Sequence, residues 1–259
     1  MAPAGLYLIR IESSENKEHS WSGKSLREAE RVFANCYPSV YAFMKARRES
    51  LISRHDQGRY FWELRSCRYW DDFARPKITS TKVSREPTFA IDKSGSYLGN
   101  TSYFFAPQAK PLYLLGLLNS SVSAFYGRSV FVDKQNGWYE VQPDALEAFC
   151  VPDATSFQAD VIEAVVTYLI HDPHPRLEQL INGLVYELFF PDDLHAAGVR
   201  LFDACKRENI TRLATLQGAA LQTEADTLAE RIFSNNHPIY MMMFDLQTLD
   251  VVRIIEARD

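Results

Sequence analysis

Residues 59–78, RYFWELRSCRYWDDFARPKI, constrain the fold most, because aromatic rings and basic side chains alternate there more densely than elsewhere in the chain. The rings must either pack into a core or lie at a surface that binds a planar partner. On a surface, Arg and Lys would neutralise phosphates and contact guanine edges, while the rings stack on bases or support the arginines. In a core, the arginines would pair with Glu63, Asp71 and Asp72 of the same segment. The residue pattern alone leaves both interpretations open.

Four segments that follow one another along the chain resemble a known protein family. They are the run DQGRYFWELRSCRYWDDFARPKI and the later runs FAID, NTSYFF and YLLGLLNSSVSAFY. Together they are similar to the TaqI-like C-terminal specificity domain over about residues 37–152, and the later run INGLVYELFFPDDL resembles the helical segment that follows that domain. The resemblance implies the target-recognition part of an adenine-specific DNA methylase from a type II restriction-modification system, a class that includes single-chain type IIG enzymes.

The resemblance and the basic residues together predict which side chains contact DNA. Arg54, Arg59 and Lys77 would contact phosphates and position the protein, whereas Arg65 and Arg68 would contact base edges and set the sequence. The complete predicted DNA-binding set is Arg54, Arg59, Trp62, Arg65, Arg68, Tyr69, Lys77, Asn119 and Lys134. Two alternatives stay open: a buried segment 62–65 in which Glu63 pairs with Arg65, and an Asn119 side chain bonded to nearby backbone.

The distribution of charge favours a DNA-binding surface in the first part of the chain. The net charge is −5, yet residues 1–150 contain 20 Lys and Arg against 16 Asp and Glu, and residues 151–259 contain 8 against 17. A polyanion is attracted to the first part and repelled by the second.

The predicted fold class is α+β, with a mixed antiparallel-sheet target-recognition domain over residues 1–152 and an all-helical domain over residues 153–259. The boundary is placed near Pro152, where the resemblance ends and the sign of the charge changes. Short runs rich in β-branched and aromatic residues predict the strands KITSTKV, TFAID, SYLG and NTSYFFAP. The opening run LYLIRIE also alternates like a strand, and Asn136-Gly137 predicts a hairpin turn.

Helices in the first 152 residues are predicted from apolar spacing and from capping residues. Ser25 stands three residues before Glu28, a capping-box pattern that predicts a helix over residues 26–35. Pro38 begins a second predicted helix, which carries Val40, Phe43, Met44 and Leu51 toward the core. Pro111 begins a third, which Gly127 would end.

The remainder of the chain is predicted to be helical. Apolar residues recur there every three or four positions, and prolines at 173, 175 and 191 separate the first helices. These helices are expected over residues 158–170, 175–189 and 192–207 and in a stretch that ends near Ser234. The HDPH run at 171–174 is predicted to be a surface loop rather than a metal site.

The sequence lacks the motifs that a catalytic site of the suspected kind requires. No glycine-rich loop follows a strand to hold S-adenosylmethionine, and no Asn-Pro-Pro-aromatic motif is present to hold a target amine. The Gly-Lys-Ser at 23–25 has Glu18 where a phosphate-binding loop needs its first glycine. The four cysteines are far apart in sequence and are predicted to be free, buried thiols. The chain is therefore predicted not to catalyse by itself and to bind no cofactor, with S-adenosylmethionine expected on a missing catalytic domain.

The expected partners are double-stranded DNA and an N-terminal methyltransferase domain or subunit. The strand-like start favours a piece of a larger enzyme over a separate specificity subunit. No run of 18 apolar residues predicts a membrane span and no secretory signal is recognisable, so a cytoplasmic location is expected. The alternative function is a protein-interaction module, in which the acidic helices and the IYMMMF run dock a partner or catalytic subunit without contacting DNA.

Overall fold

The computed structural model describes residues 5–86 and 88–257, and the chain divides into two compact units, Met1–Ala74 and Arg75–Asp259. Each unit has a hydrophobic core of its own. The boundary expected near Pro152 does not coincide with this division, since Pro152 lies inside the second unit.

The first unit is built from three short helices packed beside an irregular aromatic segment. The helices are α1 (Leu26–Cys36), α2 (Pro38–Lys45) and α3 (Arg48–Ile52), and a 3₁₀ turn follows at Trp70–Ala74. In α1, Ala29 and Phe33 are buried because residues four apart share one face of a helix.

Three local predictions for the first unit differ from the structure. Among the described residues, no side chain caps α1, so the capping box of Ser25 and Glu28 is not formed although the helix begins where it was expected. The second predicted helix is interrupted after Lys45, and Phe43 is exposed rather than buried. The run LYLIRIE is extended but is not a strand, since within the described part of the chain no neighbouring strand pairs with it.

Two small antiparallel sheets lie in the second unit. The first has the strand order β3-β1-β4, from β1 (Lys77–Thr81), β3 (Phe89–Asp92) and β4 (Ser102–Phe105). The second has the order β2-β6-β5, from β2 (Val83–Ser84), β5 (Val132–Lys134) and β6 (Trp138–Glu140). The run SYLG, predicted to be a strand, is loop.

The turn between β5 and β6 confirms the predicted hairpin. Asn136 and Gly137 have φ of 63° and 71°. The loop between the paired residues Lys134 and Trp138 has three residues, and asparagine and glycine adopt positive φ there at little cost.

Ten helices are described in the second unit, and they form most of its core. They are α4 (Pro111–Leu118), α5 (Ser121–Val130), α6 (Pro143–Glu147), α7 (Ser156–Leu169), α8 (Pro175–Phe189), α9 (Pro191–Ala196), α10 (Leu201–Arg207), α11 (Gly218–Ile232), α12 (Pro238–Leu246) and α13 (Asp250–Ile255). A 3₁₀ turn at Ile210–Thr215 lies between α10 and α11. These helices and the two antiparallel sheets confirm the α+β class.

Two long helices predicted from sequence are each broken once. Ser120 caps α5 by accepting a hydrogen bond from the Ser123 backbone, which separates α4 from α5. Gly127 lies inside α5 and does not end it, and a Cβ there would stand 2.6 Å from the Phe131 ring. Gly198, with φ of 80°, lies between α9 and α10.

Residues on both sides of Pro152 share one core. Leu117 of α4 and Ile162 of α7 are fully buried in the same cluster as Ile78 of β1. Gly116 allows α4 and α7 to approach closely, because a Cβ at that position would be 2.7 Å from the Ile162 side chain. The assignment of residues 1–152 as the recognition domain stays a prediction. No helix in the described ranges is long and apolar enough to cross a membrane.

Candidate nucleic-acid interface

The aromatic residues at positions 60–62 form the centre of the first unit. Trp62 lies between two parallel rings, with its centroid 4.9 Å from that of Tyr60 and 5.0 Å from that of Phe33. Phe61 and Trp21 contact Trp62 edge-on. Trp62 was predicted to contact DNA, but it is 1% exposed and its ring cannot stack on a base. It stabilises the fold instead.

Glu63 is fully buried and holds several parts of this unit together. Its carboxyl group accepts hydrogen bonds from the Ser14 backbone (3.1 Å), the Ser14 hydroxyl, the Trp21 indole (2.9 Å) and the Tyr60 backbone (3.3 Å). The pairing of Glu63 with Arg65, which the buried alternative included, is wrong, since Arg65 is exposed and Glu63 accepts hydrogen bonds from these neutral donors. The alternative interpretation of a buried 62–65 segment is therefore correct for Trp62 and Glu63.

Arg54 is used by the backbone of the same segment. Its Nη2 donates to the carbonyl oxygens of Phe61 (2.9 Å) and Glu63 (3.1 Å), and its Nε donates to that of Leu51 (3.3 Å). These three bonds direct Nε and Nη2 of the guanidinium toward the backbone of the unit. Arg54 therefore fixes the end of α3 to the aromatic segment, which differs from the predicted phosphate contact.

Three arginines of the predicted set remain exposed. Arg59, Arg65 and Arg68 lie at the surface of the first unit, and in the described residues none of them forms an ion pair. Tyr69 is 48% exposed. Because their cationic heads are available to solvent, the three arginines remain candidates for contacts with an anionic partner.

Lys77 is buried at the start of β1, where a phosphate cannot reach it. Its side chain is 0% exposed, and its Nζ lies 2.6 Å from Oδ2 of Asp92 on the neighbouring strand. Burial acts to raise the pKa of Asp92, but hydrogen bonds from Lys77 and Ser94 together hold it below its ordinary value. Lys77 is a structural cation, contrary to the prediction.

The side chain of Asn119 is hydrogen-bonded to the edge of the first sheet. Its Oδ1 accepts from the Phe89 backbone nitrogen at 3.0 Å, and its Nδ2 donates to the Phe89 oxygen at 3.0 Å and to the Leu115 oxygen at 3.1 Å. The side-chain amide thus pairs with edge strand β3 as a further strand would. The alternative of backbone bonding is therefore the correct one for Asn119.

Lys134 belongs to a cationic group on the second sheet that the sequence revealed only in part. Glu140 accepts hydrogen bonds from Lys134 at 2.6 Å and from Lys82 at 3.2 Å, while the Arg85 guanidinium lies over the Trp138 ring at 5.5 Å. Lys82, Arg85 and Trp138 were absent from the predicted set. The alternation of polar and apolar residues in VFVDKQNGWYEVQ was the available signal, because it places every second side chain on one face.

No group of three or more His, Cys, Asp or Glu side chains that could hold a metal ion is found within residues 5–86 and 88–257. The HDPH run lies between α7 and α8, which confirms the predicted loop. The four cysteines are free, but the prediction that they are buried is wrong for Cys36 and Cys150, which are exposed, and for Cys67, which is partly exposed. Cys205 is buried, and burial raises the pKa of its thiol above the ordinary value, so it is an inert core residue.

Residues 21–151 match the model of the TaqI-like C-terminal specificity domain, and this match covers just over half of the chain. The chain belongs to the TaqI-like C-terminal specificity domain family. The specificity domain spans the aromatic core of the first unit from Trp21 onward and both sheets of the second unit. Helices α7 to α13 follow it. All nine residues of the predicted DNA-binding set lie inside the specificity domain. No protein with a curated description matches the chain significantly.

Proposed function

We propose that this chain is the DNA sequence-recognition region of an adenine-specific methyltransferase in a restriction-modification system. The observation that carries the proposal is its membership of a family of specificity domains, over residues 21–151. Catalysis would come from a methyltransferase domain or subunit that also binds S-adenosylmethionine. The adenine specificity and the restriction-modification parentage come from the resemblance described above.

The surface of the first unit supports this function. Arg59, Arg65 and Arg68 are exposed within ten residues of one another, and the buried Tyr60, Trp62 and Glu63 hold the intervening backbone. A rigid backbone that carries exposed guanidinium groups suits phosphate and base recognition, because little side-chain ordering beyond the arginines themselves is needed. The rings therefore serve the arginines as a scaffold.

Binding of the 259-residue chain to a 30-base-pair duplex, measured between about 50 and 200 mM salt, tests the proposal. Wild-type affinity should fall steeply with salt. The triple variant Arg59→Ala, Arg65→Ala, Arg68→Ala should bind more weakly, and the slope of log affinity against log salt should shrink by up to about 0.9 for each lost phosphate contact.

Arg207→Ala is the matched control, since Arg207 is an exposed arginine of α10, outside the family match. Its slope should equal that of the wild type. If the triple variant keeps the wild-type slope, these arginines do not contact phosphates. If the wild-type chain shows no salt-dependent binding to any duplex, the proposed function itself is wrong.

A second candidate function rests on the surface of the last helices. Met241, Phe244 and Ile254 are 45%, 62% and 66% exposed, in a part of the chain rich in Asp and Glu. Met241 and Phe244 are three residues apart on α12 and so share one helix face, and large exposed apolar side chains next to one another are typical of protein docking sites. A protein-interaction module of this kind would bind its partner, such as a catalytic subunit, with little dependence on salt, which distinguishes it from a DNA-binding chain.

A further inference from the structure

The second sheet, β2-β6-β5, stands apart from the hydrophobic core. Among the described residues, the core cluster of the second unit takes Ile78 and Phe89 from the first sheet but takes no side chain from β2, β5 or β6. All three residues of β5 are exposed. A small sheet is stable when one face packs against other groups. On the face that carries them, Val83, Val132, Lys134 and Trp138 are all exposed and are therefore available to a partner.

The register of the strands shows which side chains of this sheet share a face, and it places Lys134 and Asp133 on opposite faces. Residues directly opposite one another share a face, and Lys134 is opposite Trp138 while Val132 and Val83 are opposite Glu140. Asp133, Tyr139 and Ser84 lie on the other face. Arg85 follows β2 two positions after Val83, and its guanidinium lies over the ring of Trp138. We call the face that carries Arg85, Lys134 and Trp138 the basic face.

The single carboxylate of the basic face is neutralised by two lysines. Glu140 bonds to Lys134 and Lys82, and these hydrogen bonds, first from Lys134 and then from Lys82, lower the pKa of its carboxyl group. The hydrogen bond to Glu140 is the main cause that raises the pKa of Lys82. Lys134, Lys82 and Arg85 thus outnumber the one acid, while Asp133 points away from them. The basic face has the charge that a polyanion requires.

Arg85 is positioned to contact bases. Within the described residues it forms no ion pair, and the ring of Trp138, itself 40% exposed, supports its guanidinium at 5.5 Å. An arginine braced by a ring loses less freedom when it binds, and its planar fork matches the O6 and N7 acceptors of guanine. The β5-β6 hairpin is a β-ribbon that carries only the two-residue strand β2 along its β6 side, and a two-stranded β-ribbon has the dimensions that the major groove of DNA admits.

We propose that the basic face of this sheet enters the major groove of duplex DNA, with Arg85 reading a guanine, Trp138 bracing it and Lys82 and Lys134 near phosphates. The inference rests on the proposed function and deepens it by naming the element that sets the sequence. Nothing in the predicted DNA-binding set assigned this role to Arg85 or Trp138.

Selection of duplexes from a pool of random-sequence 30-base-pair DNA by the 259-residue chain tests the inference. The wild-type chain should enrich a motif that contains at least one guanine. Arg85→Ala should lose preference at one guanine position, with discrimination there falling about 5- to 150-fold in competition binding. Arg85→Lys should lose the same preference while keeping the wild-type salt slope, because it preserves the charge but not the bidentate fork. Trp138→Ala should lose part of the preference at that guanine position.

Asp133→Asn is the control, because Asp133 lies on the opposite face of the same hairpin. It should enrich the wild-type motif with wild-type discrimination. All four variants change exposed residues, so thermal unfolding midpoints should match the wild type and a lost preference cannot reflect misfolding. If Arg85→Ala and Arg85→Lys enrich the wild-type motif with unchanged discrimination, the inference is wrong and the proposed function stands. If the wild-type chain enriches no sequence, both are wrong.

Discussion

At the scale of single residues, Glu63 is the most consequential side chain in the first unit. Removing its carboxyl group leaves four buried or half-buried donors on Ser14, Trp21 and Tyr60 without their hydrogen-bond acceptor. We expect Glu63→Ala to lower the free energy of unfolding of this unit by about 3–5 kcal/mol, measured by urea unfolding. Glu49→Ala, at an exposed position of α3, should change it by less than about 0.5 kcal/mol. A Glu63→Ala variant as stable as Glu49→Ala would mean that these bonds contribute nothing.

The Lys77–Asp92 pair makes the stability of the second unit depend on pH. Since the pKa of Asp92 lies below its ordinary value of 3.8 in the folded chain, the pair stabilises the fold above that value. The contribution is lost as pH falls through the folded pKa. Asp92→Asn should therefore be less stable than the wild type by about 3 kcal/mol at pH 7.

The difference between Asp92→Asn and the wild type should shrink as the pH approaches about 3, which urea unfolding at both pH values measures. Asp133→Asn serves as the control, because Asp133 is exposed on β5. A constant difference across this range would show that Asp92 acts through its size or its hydrogen bonds to Ser94, and not through its charge.

The sequence identified suitable residue types more reliably than it identified their surroundings. Arg54, Trp62 and Lys77 have the chemistry of DNA contacts, yet carbonyl oxygens, aromatic rings and a carboxylate use them inside the fold. These partners come from residues up to 41 positions away along the chain, such as Trp21 beside Trp62. Local pattern cannot show such contacts. The arginines at 59, 65 and 68 stay candidates because they remain exposed.

At the scale of elements, Asn119 joins the break between α4 and α5 to the edge of the first sheet. Its amide satisfies both backbone groups of Phe89 at that edge. We expect Asn119→Ala to destabilise the second unit by about 2 kcal/mol and to leave DNA affinity of the folded protein unchanged, as measured by thermal unfolding and by duplex binding. Asn100→Ala, in an exposed turn, should change neither quantity. A loss of DNA affinity without loss of stability would restore Asn119 as a DNA contact.

Elements with a proline start and a continuous apolar face were predictable from sequence. The helix expected over residues 175–189 is α8 (Pro175–Phe189), because Pro175 suits the first turn and its apolar face is unbroken. The interruption at Asn119 and Ser120 was missed, since it depends on a cap and on the edge of a distant strand. The run LYLIRIE alternates like a strand, but strands need partners and alternation does not supply one.

At the scale of the whole molecule, the two cores imply that each unit has its own free energy of unfolding. The aromatic core of Met1–Ala74 contains Glu63, whereas α8 belongs to the core of Arg75–Asp259. Glu63→Ala should therefore speed amide hydrogen exchange in α1 while exchange in α8 stays at the wild-type rate. Mass spectrometry of exchanged peptides measures both, with Glu49→Ala as the unchanged control. Equal acceleration in α1 and α8 would show that the two units unfold together.

The absence of core side chains in β2, β5 and β6, as far as the structure describes them, also bears on how such a protein evolves. Most substitutions are removed by selection because they lower stability below what folding requires. Substitutions on this exposed sheet escape that filter. If this sheet reads DNA as we propose, a lineage can change the recognised sequence by such substitutions with little loss of stability.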